Sequence, residues 1–297
     1  MNTAETTAPQ SNSLLPMIII GGLFFIFGFI TWLNGALVPF LQIVCDLNEV
    51  EAILIASTFY FAYVVMALPM AKVLDFTGYR KAMSVGLGMI SIGCLMFIPA
   101  AQAQSFGLFL AAQFCLGTGL TLLQTASNPY IVKIGPEETA AVRISIMGIL
   151  NKLAGVIAPM IFTVLVLGDF SDVSAKSIEA LTEAEREVKV TMLADGLIIP
   201  YFGMAISLAI LALGLLKSGL PELDLSQDAN AIEGTSKDTS LLAFPHLILG
   251  ALTLFVYVGV EVIAGDTIGL FGSNLGVANA TTLGVALATS LLLIVRT

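Results

Sequence analysis

Apolar residues run along this chain in long blocks separated by short polar breaks. A bilayer hydrocarbon core about 30 Å thick is crossed by about 20 apolar residues of helix. Blocks of that kind fall at residues 17–44, 52–74, 82–101, 106–132, 142–167, 191–216 and 243–264, with an eighth candidate at 278–295. The pattern predicts an all-α polytopic membrane protein.

The polar breaks predict its organisation. Residues 1–16 form an N-terminal tail. Its first part, Met1 to Ser13, lacks Lys and Arg and precedes an apolar run too long for a signal-peptide core, so the first block reads as a retained span. Six spans then occupy residues 17–217. Residues 218–241 are polar, acidic and rich in small side chains, as in Pro221-Glu222-Leu223-Asp224 and Glu233-Gly234-Thr235-Ser236, and read as a flexible linker. Residues 242–297 hold spans seven and eight, a partial second bundle. Two helices shield polar positions poorly, so the chain is expected to be incomplete at its C-terminus unless it dimerises.

Basic residues set the expected orientation. Lys72, Arg80 and Lys81 flank the second-to-third connection, Lys133 and Arg143 the fourth-to-fifth, and Lys217 and Lys237 lie in the sixth-to-seventh. The first-to-second and third-to-fourth connections have none. The positive-inside rule puts the N-terminus in the cytoplasm. A long outside loop at 168–190 breaks the pattern with Lys176, Arg186 and Lys189, but long loops weigh less in that rule.

Composition agrees with lipid as the solvent. Of 297 residues, 57% are hydrophobic and 11% charged, against about 25% charged in soluble domains. The acidic excess, a net charge of −9, sits mainly in loops, and no basic patch suggests nucleic acid. Cys45, Cys94 and Cys115 lack metal-ligand spacing. With no G-x-S-x-G, phosphate-cradling loop or His/Cys/Glu cluster, the chain is expected to be neither an enzyme nor a metal or cofactor protein.

The loop after the second span, Ala71 to Lys81, resembles the major facilitator signature G-x-x-x-D-[RK]-x-G-[RK]-[RK]: Asp75, Gly78, Arg80 and Lys81 match, while Ala71 and Phe76 depart. Phe24 to Pro39, Leu123 to Tyr130 with Gly135-Pro136-Glu137, Asn151 to Gly155 with Pro159, and Tyr257 to Glu261 resemble the fucose/glucose/galactose branch of that superfamily. The resemblance runs from about residue 17 to about residue 280. It implies the N-terminal six-helix bundle of that fold plus the first one or two helices of its second bundle, in a protein truncated relative to twelve-span relatives.

The same resemblance implies alternating-access transport of a neutral hexose with proton or sodium coupling, by a monomer when full length. Fucose-type proton symporters carry acids where this chain has Gly35 and Gln124, which points to the glucose/galactose type. It also removes two residues on which proton coupling would rest. The alternative is a non-transporting scaffold or sensor, or an inactive truncated remnant.

Polar residues inside spans are the candidate site, because in lipid each must face a partner or a cavity. Gly21, Gly28 and Gly35 recur every seven residues and suit close helix approach, with Trp32 and Asn34 nearby. Trp32 reads either as a sugar-stacking ring or as packing between helices. Gln124 and Asn128 share a face of the fourth span, where their amides suit hydroxyls or another helix. Asn151, beside Lys152, completes the binding set. Lys152 lies too deep to snorkel, so it must pair with a carboxylate or line an aqueous route. Glu261 is the strongest intramembrane acid, a coupling candidate or a helix-end acid. Asp75 with Arg80 is expected to form part of the inner gate.

Overall fold

The computed structural model describes residues 14–162, 164–165, 178, 181–223 and 244–274, with the side chains of 34–36, 39, 49, 265–266 and 268–274 set aside. The eighth candidate span and most of the linker lie outside the described residues. Each apolar block becomes a helix: α1 (Leu14–Val44), α2 (Glu49–Thr77), α3 (Tyr79–Gln102), α4 (Phe106–Lys133) and α5 (Ala140–Phe162), then α6 (Glu183–Gly196), α7 (Ile198–Lys217) and α8 (Pro245–Asn274). Seven spans among the described residues are long and apolar enough to cross a membrane, α6 and α7 counting as one.

Local chemistry explains the ends. The Asn48 side chain accepts from the Glu51 backbone N–H while the Glu51 carboxylate accepts from the Asn48 N–H, so two orphan donors of α2 are satisfied together. Gly78, at φ 76°, lets the chain turn from α2 directly into α3. The expected loop at 168–190 needs correction. Its end is helical, because Thr182 and Glu185 form a second capping box and start α6 at Glu183. Pairing of the acid with the cap outweighs the polar composition of that turn.

Within the bundle, α3 lies between α4 and α7, α2 packs on α4, and α1 packs along α5. Polar stitches register the α3–α7 contact. Ser84 and Ser91, seven residues apart, donate at 2.7 Å to the carbonyls of Ala212 and Ala205, also seven apart on the antiparallel helix. Lipid supplies no hydrophobic drive between helices, so such bonds and small-residue contacts carry the association. Large apolar side chains such as Leu68, Ile199 and Phe255 point outward, as a lipid-facing surface requires.

The α1–α5 contact depends on the glycine stripe. A Cβ at Gly21 would lie 2.9 Å from Leu150 Cδ1, and one at Gly28 would overlap the Asn151 carbonyl. The obstacle at Gly28 is backbone and cannot rotate away. Gly28→Ala is therefore expected to cost about 1–3 kcal/mol through overpacking, lowering the thermal midpoint in detergent. Gly22→Ala, whose Cβ meets open space, serves as the control and should not destabilise. Equal midpoints for the two variants would remove the close-approach account.

Candidate functional site

Three helices meet at a half-buried charge pair. Lys152 on α5 has twelve residues of its helix before it and ten after, which places its ammonium roughly 15 Å from either end. An unpaired ammonium at such depth costs about 2.5–3.5 kcal/mol on insertion scales. The structure resolves this by pairing Lys152 Nζ with the Glu261 carboxylate of α8, the side chains being only 24% and 17% exposed. Of the two readings of Lys152, the carboxylate partner is the one this conformation realises.

Trp32 closes the cluster from α1. The ammonium sits 4.7 Å from the centroid of its ring, within cation–π range. Behind the indole lies Gly155, where a Cβ would come within 2.6 Å of Trp32 Cδ1. The indole is 6% exposed, so Trp32 packs between helices here and presents no free face for stacking. Gly155 is the seat of this ring. Beside Lys152, the Asn151 amide donates at 3.3 Å to the Phe24 carbonyl of α1 and helps hold α5 against it.

The other predicted binding residues stand apart. Gln124 is half-buried and Asn128 exposed on α4, and among the described residues neither bonds to the ion pair. The side chain of Asn34 lies outside the described residues. On the same helix face, Thr121 and Thr125 turn their hydroxyls back onto the Gly117 and Thr121 carbonyls, leaving the Gln124 amide to present its donors and acceptors.

Asp75 and Arg80, expected together as gate residues, lie on either side of the Gly78 turn. Asp75 is exposed, and the carboxylate facing Arg80 is Glu222, with Nε–Oε2 at 3.8 Å. Glu222 also accepts from the Arg80 backbone N–H at 3.4 Å. The helix dipoles give the reason. Asp75 lies in the last turn of α2, the negative end, whereas Glu222 reaches the positive N-terminus of α3. The Tyr130 hydroxyl donates to the Pro221 carbonyl at 2.8 Å and anchors the same segment.

A residue that sequence reasoning used only for topology proves structural. Arg143 is 5% exposed and wraps the C-terminus of α4. Its guanidinium donates to the carbonyls of Ile131 at 2.8 Å, Val132 at 2.6 Å and Pro136 at 2.9 Å. It also reaches the Gly135 carbonyl and the Thr139 hydroxyl. The last carbonyls of a helix have no partner within it, and Gly135-Pro136 ends α4 just before a lone Arg. That juxtaposition was the available signal.

A six-span bundle that meets a seventh span through a buried ion pair defines a polytopic helical membrane protein. Residues 20–296 match the family model described as Major Facilitator Superfamily. The glucose/galactose transporter of Brucella abortus is 36% identical over 272 residues, covering 92% of this chain and 62% of that protein. The L-fucose-proton symporter of Escherichia coli is 28% identical over 260 residues, covering 86% and 59%. The crystal structure of the E. coli fucose:proton symporter FucP superposes with a TM-score of 0.70 at 22% identity, over 87% of this chain and 63% of that one. The chain belongs to the major facilitator superfamily. It spans about three fifths of the length of these relatives.

Proposed function

We propose that the protein serves cation-coupled transport of a neutral hexose of the glucose/galactose type across the bacterial inner membrane, by alternating access and as a monomer. The observation that carries this reading is the Lys152–Glu261 pair against Trp32. It ties α1 and α5 of the first bundle to α8, which follows the 218–241 linker and opens the second. Two bundles that rock about a midplane site need a contact there that can be made and broken. An ammonium and a carboxylate held side by side also supply both donors and acceptors to a polyhydroxylated substrate. Gly35 and Gln124 stand where fucose-type symporters carry acids, and the name of the Brucella relative supports the same hexose class. The Lys and Arg placement supports a cytoplasmic N-terminus. No catalytic step is assigned.

In this reading Glu261 couples the cation: neutralising its charge by a proton or sodium ion frees Lys152 and loosens α8 from α1. Gln124 and Asn128 of α4, with Asn34, Asn151 and Trp32, contact the sugar as the helices move, and Arg80 with Asp75 belongs to the inner gate. Uptake of radiolabelled glucose and galactose into proteoliposomes, with pH and sodium gradients imposed separately, tests it. Saturable uptake driven by one gradient is expected, and Glu261→Gln should abolish the gradient dependence. Absence of uptake both by this chain and by a version extended to the relatives' length would overturn the reading.

A further inference from the structure

Residues 218–223 leave α7 as non-helical chain and are held against the α2–α3 turn and the end of α4. Glu222 supplies a missing cap there. Gly78, the residue before α3, makes no side-chain cap for that helix. A capping oxygen normally accepts from the second or third amide of the helix. Here Glu222 Oε1 takes that place and accepts from the Arg80 N–H at 3.4 Å. The seat requires glycine, because a Cβ at Gly78 would lie 2.3 Å from Glu222 Oε1. Arg80 holds the segment a second time, its Nη1 donating to the Ser218 carbonyl at 3.4 Å. Tyr130 of α4 holds it from the other side, its hydroxyl donating to the Pro221 carbonyl at 2.8 Å.

These contacts are weak enough to let go. The Arg80 and Glu222 side chains keep 32% and 44% exposure, and exposed pairs contribute little. The apolar contact is short: Leu220 is buried and Leu223 partly so, while Gly219, Pro221 and Glu222 are exposed. Holding six residues in one conformation costs entropy at each of them. Segments with few buried contacts open first, while the elements beneath stay folded. The surface under this one is joined without it. Tyr79 and Tyr130 pack edge to face at 5.8 Å, and Lys133 Nζ donates to the Tyr79 hydroxyl at 3.3 Å, so the start of α3 stays on α4.

We infer that residues 218–223 are a releasable strap, which caps α3 and holds Arg80 when seated and lifts as a unit from a folded bundle. Lifting frees the Arg80 guanidinium. It also adds six residues, on the order of 20 Å of extended chain, to the tether that leads to α8. Two bundles that rock against each other change the span their tether must cross, and the strap supplies the slack. Only that use of the slack rests on the transport reading.

Native-state proteolysis of the full chain in detergent, with a Glu-specific protease at limiting concentration, tests it. A protease cuts extended chain, and at low concentration the rate tracks the population of the open form. Cleavage after Glu222 should proceed while Trp32 emission stays that of the folded protein. Tyr130→Phe should speed it roughly three- to tenfold, the effect of one hydrogen bond. Arg80→Ala should speed it roughly two- to fivefold, the effect of an exposed pair, and both variants should keep the thermal midpoint. Lys81→Ala, at an exposed neighbouring cation, is the control and should leave the rate unchanged. Cleavage after Glu222 no faster than global unfolding would make the segment a fixed part of the bundle and overturn the proposal. Unchanged rates in Tyr130→Phe and Arg80→Ala would overturn it too, as would an equal gain in Lys81→Ala. No uptake is measured, so this outcome is separate from that of the transport reading.

Discussion

A Lys152→Met variant will unfold in detergent at a midpoint lower by roughly 6–12 °C, and adding Glu261→Gln will recover most of that loss. The single change leaves a carboxylate buried without its ammonium. Removing one partner of a buried pair costs about 3–5 kcal/mol. The side chains retain 24% and 17% exposure, so the low end, about 3 kcal/mol, applies, at about 2–4 °C per kcal/mol for a chain of this size. The double variant removes both charges, and the two effects will fail to add by about 1–3 kcal/mol. Trp32 is the only tryptophan and lies against the ammonium, so its emission reports the same event without a label. Lys152→Met should change that emission and Lys217→Met, at the end of α7, should not. A Lys152→Met midpoint within 1–2 °C of the parent, with unchanged emission, would show that the pair is not the junction described.

The second large effect is expected at Arg143. Truncation to Ala strands the buried Ile131 carbonyl and the part-buried bonds to Val132, Gly135 and Pro136 at the end of α4 and in the turn after it. Each buried acceptor left unmade costs about 1–3 kcal/mol, and relaxation of the turn should recover part, for a net loss of about 3–4 kcal/mol. Arg143→Lys should recover little, because one ammonium cannot reproduce a planar fork of five donors. Limited proteolysis supplies a local readout: cleavage within Gly135–Thr139 should rise in both variants ahead of global unfolding. The contrast is Arg80, whose pair with Glu222 is 32% and 44% exposed. Exposed pairs contribute little, and Arg80→Ala should leave the midpoint nearly unchanged. Similar losses at Arg80 and Arg143 would contradict the assignment of Arg143 as the cap of α4.

Some of the site was legible because charge in lipid is so costly. Lys152 demanded a carboxylate or an aqueous route on depth alone, and Glu261 stood out as the strongest intramembrane acid, so both residues could be named before being brought together. The seven-residue glycine stripe likewise announced a close helix contact. Arg143 was not legible in the same way. A basic residue near a span end reads as topology, and only the folded end of α4 and the turn after it reveal four carbonyls and a hydroxyl waiting for it. Trp32 was ambiguous for a related reason: whether an indole faces a cavity or a neighbour depends on the absent side chain of Gly155, more than a hundred residues away in the chain. At the α2–α3 turn, the motif singled out Asp75 and Arg80 as gate residues and passed over Glu222. The folded chain brings Glu222 to Arg80, because the linker returns across the positive end of α3.

What the sequence by itself determined is the solvent and the number of crossings among the described residues. Apolar length against bilayer thickness is a local quantity, and each span can be counted without knowing its neighbours. Capping boxes at Asn48 and Thr182 are equally local. What only the tertiary structure decided is which polar groups meet. The Lys152–Glu261–Trp32 cluster and the α3–α7 serine stitches depend on contacts between helices far apart in the chain, and the guanidinium cage on how the turn after α4 folds back onto α5. Those contacts follow from close packing of small residues and the pairing of buried charge, which no single segment contains.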